Sequence, residues 1–225
     1  MTTRLLAMVL VLVVVPSVRM GAQSQTPTPA NPQNRLSAIT EEQMTEPLRR
    51  ALAEYRQVRP DGLGGARGVG AGGPSLWTVY VHLPEILGPI RQLHEQAHVN
   101  PRISQKLVHF VIMITARYWA NDIWTAHEED SIKEGLSRDT AKALEEGRHP
   151  DHMTEDEEII YDFCTELLEN KRVSDATYAR AVAKFGEEGV VQTAVVAGLY
   201  SYMSMAVNMA YPESASRGRL APFPQ

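Results

Sequence analysis

Ile103-Ser104-Gln105-Lys106-Leu107-Val108-His109-Phe110-Val111-Ile112-Met113-Ile114-Thr115-Ala116-Arg117-Tyr118-Trp119 reads as one long apolar helix, with Leu107, Phe110, Val111, Ile114 and Tyr118 recurring at three- and four-residue spacing. That spacing turns one stripe toward a core, and Asn100-Pro101 closes whatever precedes it. Every other strong local signal from Leu36 onward is helical too, and no stretch alternates with period two between hairpin turns. An all-α helical bundle is therefore expected.

Upstream, Thr40 and Gln43 have capping-box spacing and predict a helix to about Gln57, with Leu48, Leu52 and Tyr55 inward. Asp61 to Ser75 is glycine-rich and reads as a loop; Gly68, Gly70 and Gly73 match Gly-x-Gly-x-x-Gly, but no strand precedes them and Pro74 follows, so no dinucleotide site is read there. Leu83 to Val99 reads as the next helix. Downstream of Trp119, Asn121 or Asp122 can cap a helix to about Glu134, stopped by Gly135, and another runs from Ser137 to Gly147. Thr154 and Glu157 form a second capping box for a helix to about Asn170, and Ser174 caps one that stops at Phe185-Gly186. The last helix, Val190 to about Ala210, is apolar nearly all round, which suits a core or a subunit interface; Pro212 ends it and 213–225 reads as a loose tail.

The chain has 225 residues and is 44% hydrophobic, enough for one domain with a full core. Arg4, the apolar run Leu5 to Val15, Pro16 and the small and polar residues at Gly21-Ala22-Gln23 have the layout of a secretory signal peptide. The apolar run is shorter than the roughly 20 residues of a membrane span, so no span is expected after processing. The predicted organisation is a signal peptide over 1–22, a flexible Pro-, Gln- and Thr-rich leader over 23–35, and the domain over 36–212, in an exported protein of the periplasm or extracellular space. Losing 1–22 removes Arg4 and Arg19, leaving 20 basic groups against 27 acidic ones and moving the net charge from −5 to −7. Such an acidic domain argues against nucleic acid as a partner. Cys164, the only cysteine, excludes an intramolecular disulfide and sits on an apolar helical face, where a thiol is usually buried and inert.

The candidate chemistry gathers at Ala116-Arg117-Tyr118-Trp119-Ala120-Asn121-Asp122-Ile123-Trp124-Thr125-Ala126-His127-Glu128. On a helix begun at Asp122, His127 projects beside Trp124, with acids nearby, and can exchange protons near neutral pH. Spacing alone favours a structural histidine hydrogen-bonded in a core, with Asp122 as an N-cap. The run resembles the carboxymuconolactone decarboxylase and alkylhydroperoxidase D-like family, whose pattern here is Ala-Arg-x-Trp, a few residues, then Glu-Trp-x-x-His. The resemblance spans Leu83 to Ala210, including Gly135-Leu136-Ser137, Val173 to Tyr178 and Gly198-Leu199-Tyr200. It implies an all-α bundle assembled as a trimer or hexamer, acting on peroxides or on lactone and carboxylate intermediates of aromatic breakdown.

Departures from the pattern narrow that expectation. Peroxidase members carry Cys-x-x-Cys before the histidine, and the corresponding positions here are Ala120 and Ile123, so peroxide reduction lacks its thiolate. Decarboxylase-like members carry Glu where Ile123 stands, the segment between Arg117 and Trp124 is one residue shorter, and a second family acid falls at His109. The resemblance then implies His127 as acid/base, Asp122 orienting it or holding a proton, His109 in place of an acid, and Trp124 and Tyr118 as the walls of a small-molecule pocket. The reaction expected is decarboxylation or lactone opening of a small organic compound in a homo-oligomer, with no cofactor and no metal.

A competing signal is His94-Glu95-Gln96-Ala97-His98, a literal His-Glu-x-x-His, which sets two imidazoles on one helix face for zinc with the glutamate as base. His109 or a downstream acid would have to supply the third ligand. His149-Pro150-Asp151-His152 reads as a solvated turn. A zinc hydrolase and a non-catalytic binding or assembly module therefore stay open beside the decarboxylase-like reading.

Overall fold

The computed structural model describes residues 34–58, 64–65, 68–69, 76–99, 101–121 and 123–211. The signal-peptide segment, most of the leader, Asp122, Gly70, Gly73 and everything from Pro212 lie outside them. The fold is all-α, with eight α-helices among the described residues: α1 Glu46–Val58, α2 Leu76–Tyr80, α3 Pro84–Val99, α4 Gln105–Trp119, α5 Ile123–Lys133, α6 Arg138–Glu145, α7 Glu155–Glu169 and α8 Asp175–Ala210. A two-residue antiparallel pair, Gly64–Gly65 with Gly68–Val69, lies within the glycine-rich loop.

Local capping chemistry sets most boundaries. Ser104, Ser137 and Ser174 each accept a hydrogen bond from the backbone N–H three residues on, satisfying a donor that a helix start leaves open. Thr154 and Glu157 form a reciprocal capping box at α7, and Gly135 and Gly147 take the positive φ that closes α5 and α6. The first helix departs from expectation. The Thr40–Gln43 box heads only a three-residue 3-10 turn, Glu41–Gln43, because Pro47 has no N–H to give the Gln43 carbonyl and a helix begun at Glu41 cannot run through it. Thr45 Oγ1 instead accepts from Leu48 N at 3.4 Å and starts α1 afresh.

Helix α4 is the axis of the bundle, packed by α5, α7 and α8. Val108, Phe110, Val111, Ile112, Met113 and Ala116 are all inaccessible to solvent, so burial extends around the helix rather than along the single stripe its spacing predicts. At roughly 1.5–3 kcal/mol for each large side chain removed from water, this helix anchors the domain. Helix α8 bends at Gly186 (φ 69°, ψ 172°), where the sequence separates two helices, and its inner face, including Val196, Tyr200, Met203 and Val207, completes the core. On its outer face Val191, Val195, Tyr202, Met205 and Met209 stay exposed.

Gln192 of α8 fixes the end of α3. Its Nε2 donates to Ala97 O at 3.1 Å, while its Oε1 accepts from Ile103 N at 3.2 Å and from Arg102 N. Gln105 Nε2 adds a bond to His98 O at 2.5 Å. One buried amide thus answers the open carbonyls and amides where α3 turns into α4, and sets the register of the two histidines on α3. At the other end Asn34 is buried and Arg35 N donates to Ala210 O at 2.8 Å, so the last two residues assigned to the leader dock on the domain.

Candidate functional site

Helical spacing puts His94 and His98 one turn apart on one face of α3, with ring centroids 4.4 Å apart. His109 from α4 and His127 from α5 close on the same place: their Nδ1 atoms are 3.4 Å apart. In the middle stands the hydroxyl of Tyr200 from α8, which lies 3.2 Å from His94 Nε2, 3.1 Å from His98 Nε2 and 3.4 Å from His127 Nε2. Three imidazoles therefore meet one phenol, and the fourth, His109, joins them through His127. The rings are half-buried, and Tyr200 is 2% exposed.

The contacts fix where the protons sit when all four imidazoles are neutral. His98 Nδ1 lies 2.8 Å from the His94 carbonyl, which can only accept, so His98 carries its proton on Nδ1 and its Nε2 must accept. The Tyr200 O–H therefore donates to His98 Nε2. With that single proton used, the phenol oxygen can only accept from the Nε2–H groups of His94 and His127. His127 Nδ1 is then bare and accepts from His109 Nδ1–H. The result is one directed chain from His109 through His127 and Tyr200 to His98, ending on a backbone carbonyl.

Electrostatics disfavour positive charge on His127 and His109. Burial, followed by the neighbouring His109, His98 and His94, pushes the His127 imidazole down to about 3, and Asp130 opposes that only in part. Burial, then His98, also lowers His109, with Asp130 and Glu134 acting in the other direction. Burial raises the Tyr200 phenol above its ordinary range. Several imidazoles sharing one half-dry space cannot all be protonated, so any proton they take up belongs to the group.

The other expected site residues are distributed differently. Asp122 lies outside the described residues, and Asn121 caps α5, its Oδ1 accepting from Ile123 N at 3.1 Å. Trp124 is wholly buried in the main core, and its Nε1 has no hydrogen-bond partner among the described residues. Tyr118 lies apart from the histidines: its hydroxyl accepts from Lys171 Nζ at 2.8 Å, and its ring lines a separate cavity of about 80 Å³ with Arg117, Tyr161 and Leu144. Buried Arg117 ties α4 to α6 by donating from Nε to Leu144 O at 2.8 Å. Cys164 is fully enclosed.

Of the His-Glu-x-x-His motif, both imidazoles reach the cluster but Glu95 does not, since its carboxylate faces solvent and pairs with Arg91 Nη1 at 3.0 Å. His149 and His152 are exposed, the first against the Tyr161 ring, as a solvated turn requires. Sequence reasoning missed Tyr200 as a site residue, and only its zinc alternative, with His109 as third ligand, brought His94 and His98 toward His109; none of it joined them to His127. The available signal was a phenol flanked by small and apolar residues, Tyr200, two residues before the exposed Tyr202, since a buried tyrosine hydroxyl needs a partner. No family model and no curated protein matches this chain.

Proposed function

We propose that the histidine–tyrosine cluster is a proton-relay active centre, and that the chain acts in the manner of carboxymuconolactone decarboxylase-like proteins on a small organic acid or lactone. The observation that carries this reading is the forced order of hydrogen bonds from His109 to His98. In that order His127 is engaged at both ring nitrogens, so it serves as the middle link. His109 Nε2 is the end that exchanges a proton with substrate, having no hydrogen-bond partner among the described residues. A proton accepted there passes to His127 as the His109 Nδ1–H moves across, then to the Tyr200 oxygen as His127 gives up its Nε2–H, while the phenol proton moves to His98 Nε2. Positive charge leaves the reacting end without any group moving far, and the His94 carbonyl stabilises it on His98.

An anionic substrate suits this centre. A carboxylate brought beside His109 favours the protonated imidazole that burial and neighbouring rings disfavour, so binding and proton uptake reinforce one another. Neutral imidazoles then act as base toward a carbon acid or lactone, and the charged cluster returns the proton to the product. Export and homo-oligomeric assembly belong to the same proposal, the latter supported by the apolar outer face of α8. Peroxide reduction is not part of it, because the sequence holds a single cysteine and that one is sealed in the core.

The test is a screen of small carboxylates and lactones against wild type, His109→Gln and His127→Gln, following CO2 release and ring opening. Loss of about 100-fold or more in kcat with either variant is expected, in line with removal of a general acid/base. Equal turnover in all three proteins would remove the cluster from the chemistry.

A further inference from the structure

We propose that the same cluster is a binding site for a divalent transition-metal ion of the zinc class, with Nε2 of His94, His98 and His127 and the oxygen of Tyr200 as its four ligands. A tetrahedral ion with bonds of about 2.0–2.1 Å holds its ligand atoms about 3.3 Å from one another. The three nitrogens stand 3.2, 3.1 and 3.4 Å from the phenolic oxygen, so three edges of such a tetrahedron are already at length. Imidazole nitrogen with one oxygen is a donor set that zinc, copper and nickel accept.

The surroundings have the form that ligating histidines usually have. His98 carries its Nδ1 proton on the His94 carbonyl, which leaves Nε2 with its lone pair inward, and His127 has its far nitrogen against His109 Nδ1. As the side chains stand, no group of three or more His, Cys, Asp or Glu among the described residues surrounds an ion position. The His98 and His127 ring centroids stand 6.4 Å apart, farther than two imidazoles sharing an edge of that tetrahedron would, so ligation draws these two rings together. Binding moves the imidazole protons to Nδ1, with His109 taking the opposite tautomer, and releases the phenol proton to solvent as the oxygen meets the cation. The chain then cannot conduct, so the ion is an inhibitor of proton transfer. That consequence rests on the reading in the preceding section; the binding does not.

The experiment uses the purified full chain, stripped with chelator and titrated with Zn2+ by calorimetry and with Co2+ by visible absorption. One ion per chain is expected, with the intense absorption of tetrahedral Co2+. Affinity should fall at least about 100-fold in His98→Ala and in His127→Ala and stay unchanged in His149→Ala, whose imidazole lies outside the cluster. Thermal unfolding of each metal-free variant separates lost ligation from lost folding. Tyr200→Phe supplies a second route, because it keeps the three imidazoles and should bind about 10-fold more weakly with an altered Co2+ spectrum. No bound ion, a pale six-coordinate spectrum, or equal affinity in the cluster variants would overturn the proposal; an unchanged spectrum in Tyr200→Phe would remove the oxygen ligand. None of these readouts depends on turnover, so a failed substrate screen and a failed metal site remain distinct results.

Discussion

The Tyr200 hydroxyl meets His98 Nε2 at 3.1 Å although 102 residues separate them in the chain, and this contact sets the proton order of the whole cluster. Tyr200→Phe keeps the ring in the core but leaves the His98 acceptor and two Nε2–H donors facing one another. Leaving half-buried polar groups unanswered costs on the order of 1–3 kcal/mol. Urea unfolding should show that loss with an unchanged m-value, and a variant as stable as wild type would mean that water answers all three nitrogens.

Acid should destabilise the fold through His127. Its folded value of about 3 lies below the ordinary 6.5, so between those values the unfolded chain binds a proton that the folded chain refuses. Stability from this group is therefore complete above about pH 6.5 and drains away as pH falls toward 3, with a ceiling of about 1.4 kcal/mol per pH unit. His109 and His82, both also lowered by burial, act with the same sign. Melting temperature against pH should be flatter in His127→Gln than in wild type between pH 6 and pH 4, as measured by circular dichroism. Parallel profiles would place the acid sensitivity elsewhere.

How far the sequence reached is clearest around these residues. Helix limits at Ser137, Thr154 and Ser174 were legible because a cap acts on amides within three residues of itself, whereas the helix read from Ile103 begins at Gln105, behind a Ser104 cap that the apolar pattern hid. Helix α2 gave no comparable signal, because its five residues Leu76–Tyr80 are too few to show a period. His109 and His127 came together through family likeness, whereas His94 and His98 reach them only through the packing of α3 on α8, which no local pattern encodes. Tyr118 was expected on the same pocket wall, yet nine residues at about 100° each set it roughly 180° around α4 from His109. It lines the Arg117 cavity instead. Trp124 is likewise turned inward, to zero exposure, while His127 three residues later faces the cluster.

Gln192 holds α3 in register with the site, so replacing it should disturb the cluster from outside. Gln192→Leu removes three hydrogen bonds at the α3–α4 turn and leaves the Ala97 carbonyl and the Arg102 and Ile103 amides without that partner. A cost of about 1–3 kcal/mol is expected from these groups. Faster amide exchange confined to the end of α3 and the start of α4 would support the clamp; uniform exchange across the domain would contradict it.

Cys164 should be silent in the folded protein. Its side chain has no solvent exposure, and burial raises the thiol well above its ordinary value, so almost no thiolate is present to react. A disulfide reagent should therefore label it only after denaturation, and hydrogen peroxide consumption by the native chain should match a buffer blank. Rapid labelling without denaturant would reopen a thiol role.

Two glycines of α8 should respond to alanine with opposite signs. Gly186 sits at φ 69° and ψ 172°, a region that side-chain-bearing residues almost never occupy, and a Cβ there would meet nothing within 4 Å. The cost of Gly186→Ala is therefore backbone strain alone, about 1–3 kcal/mol, offset by about 0.4–1 kcal/mol from the restricted unfolded chain. Gly198 is also free of contacts within 4 Å, but it is an exposed residue with ordinary helical geometry, so Gly198→Ala carries only the gain. Thermal melts should put the first variant below wild type and the second above it. Stabilisation by both would mean that α8 straightens at Gly186, and the bend would then not be a fixed property of the bundle.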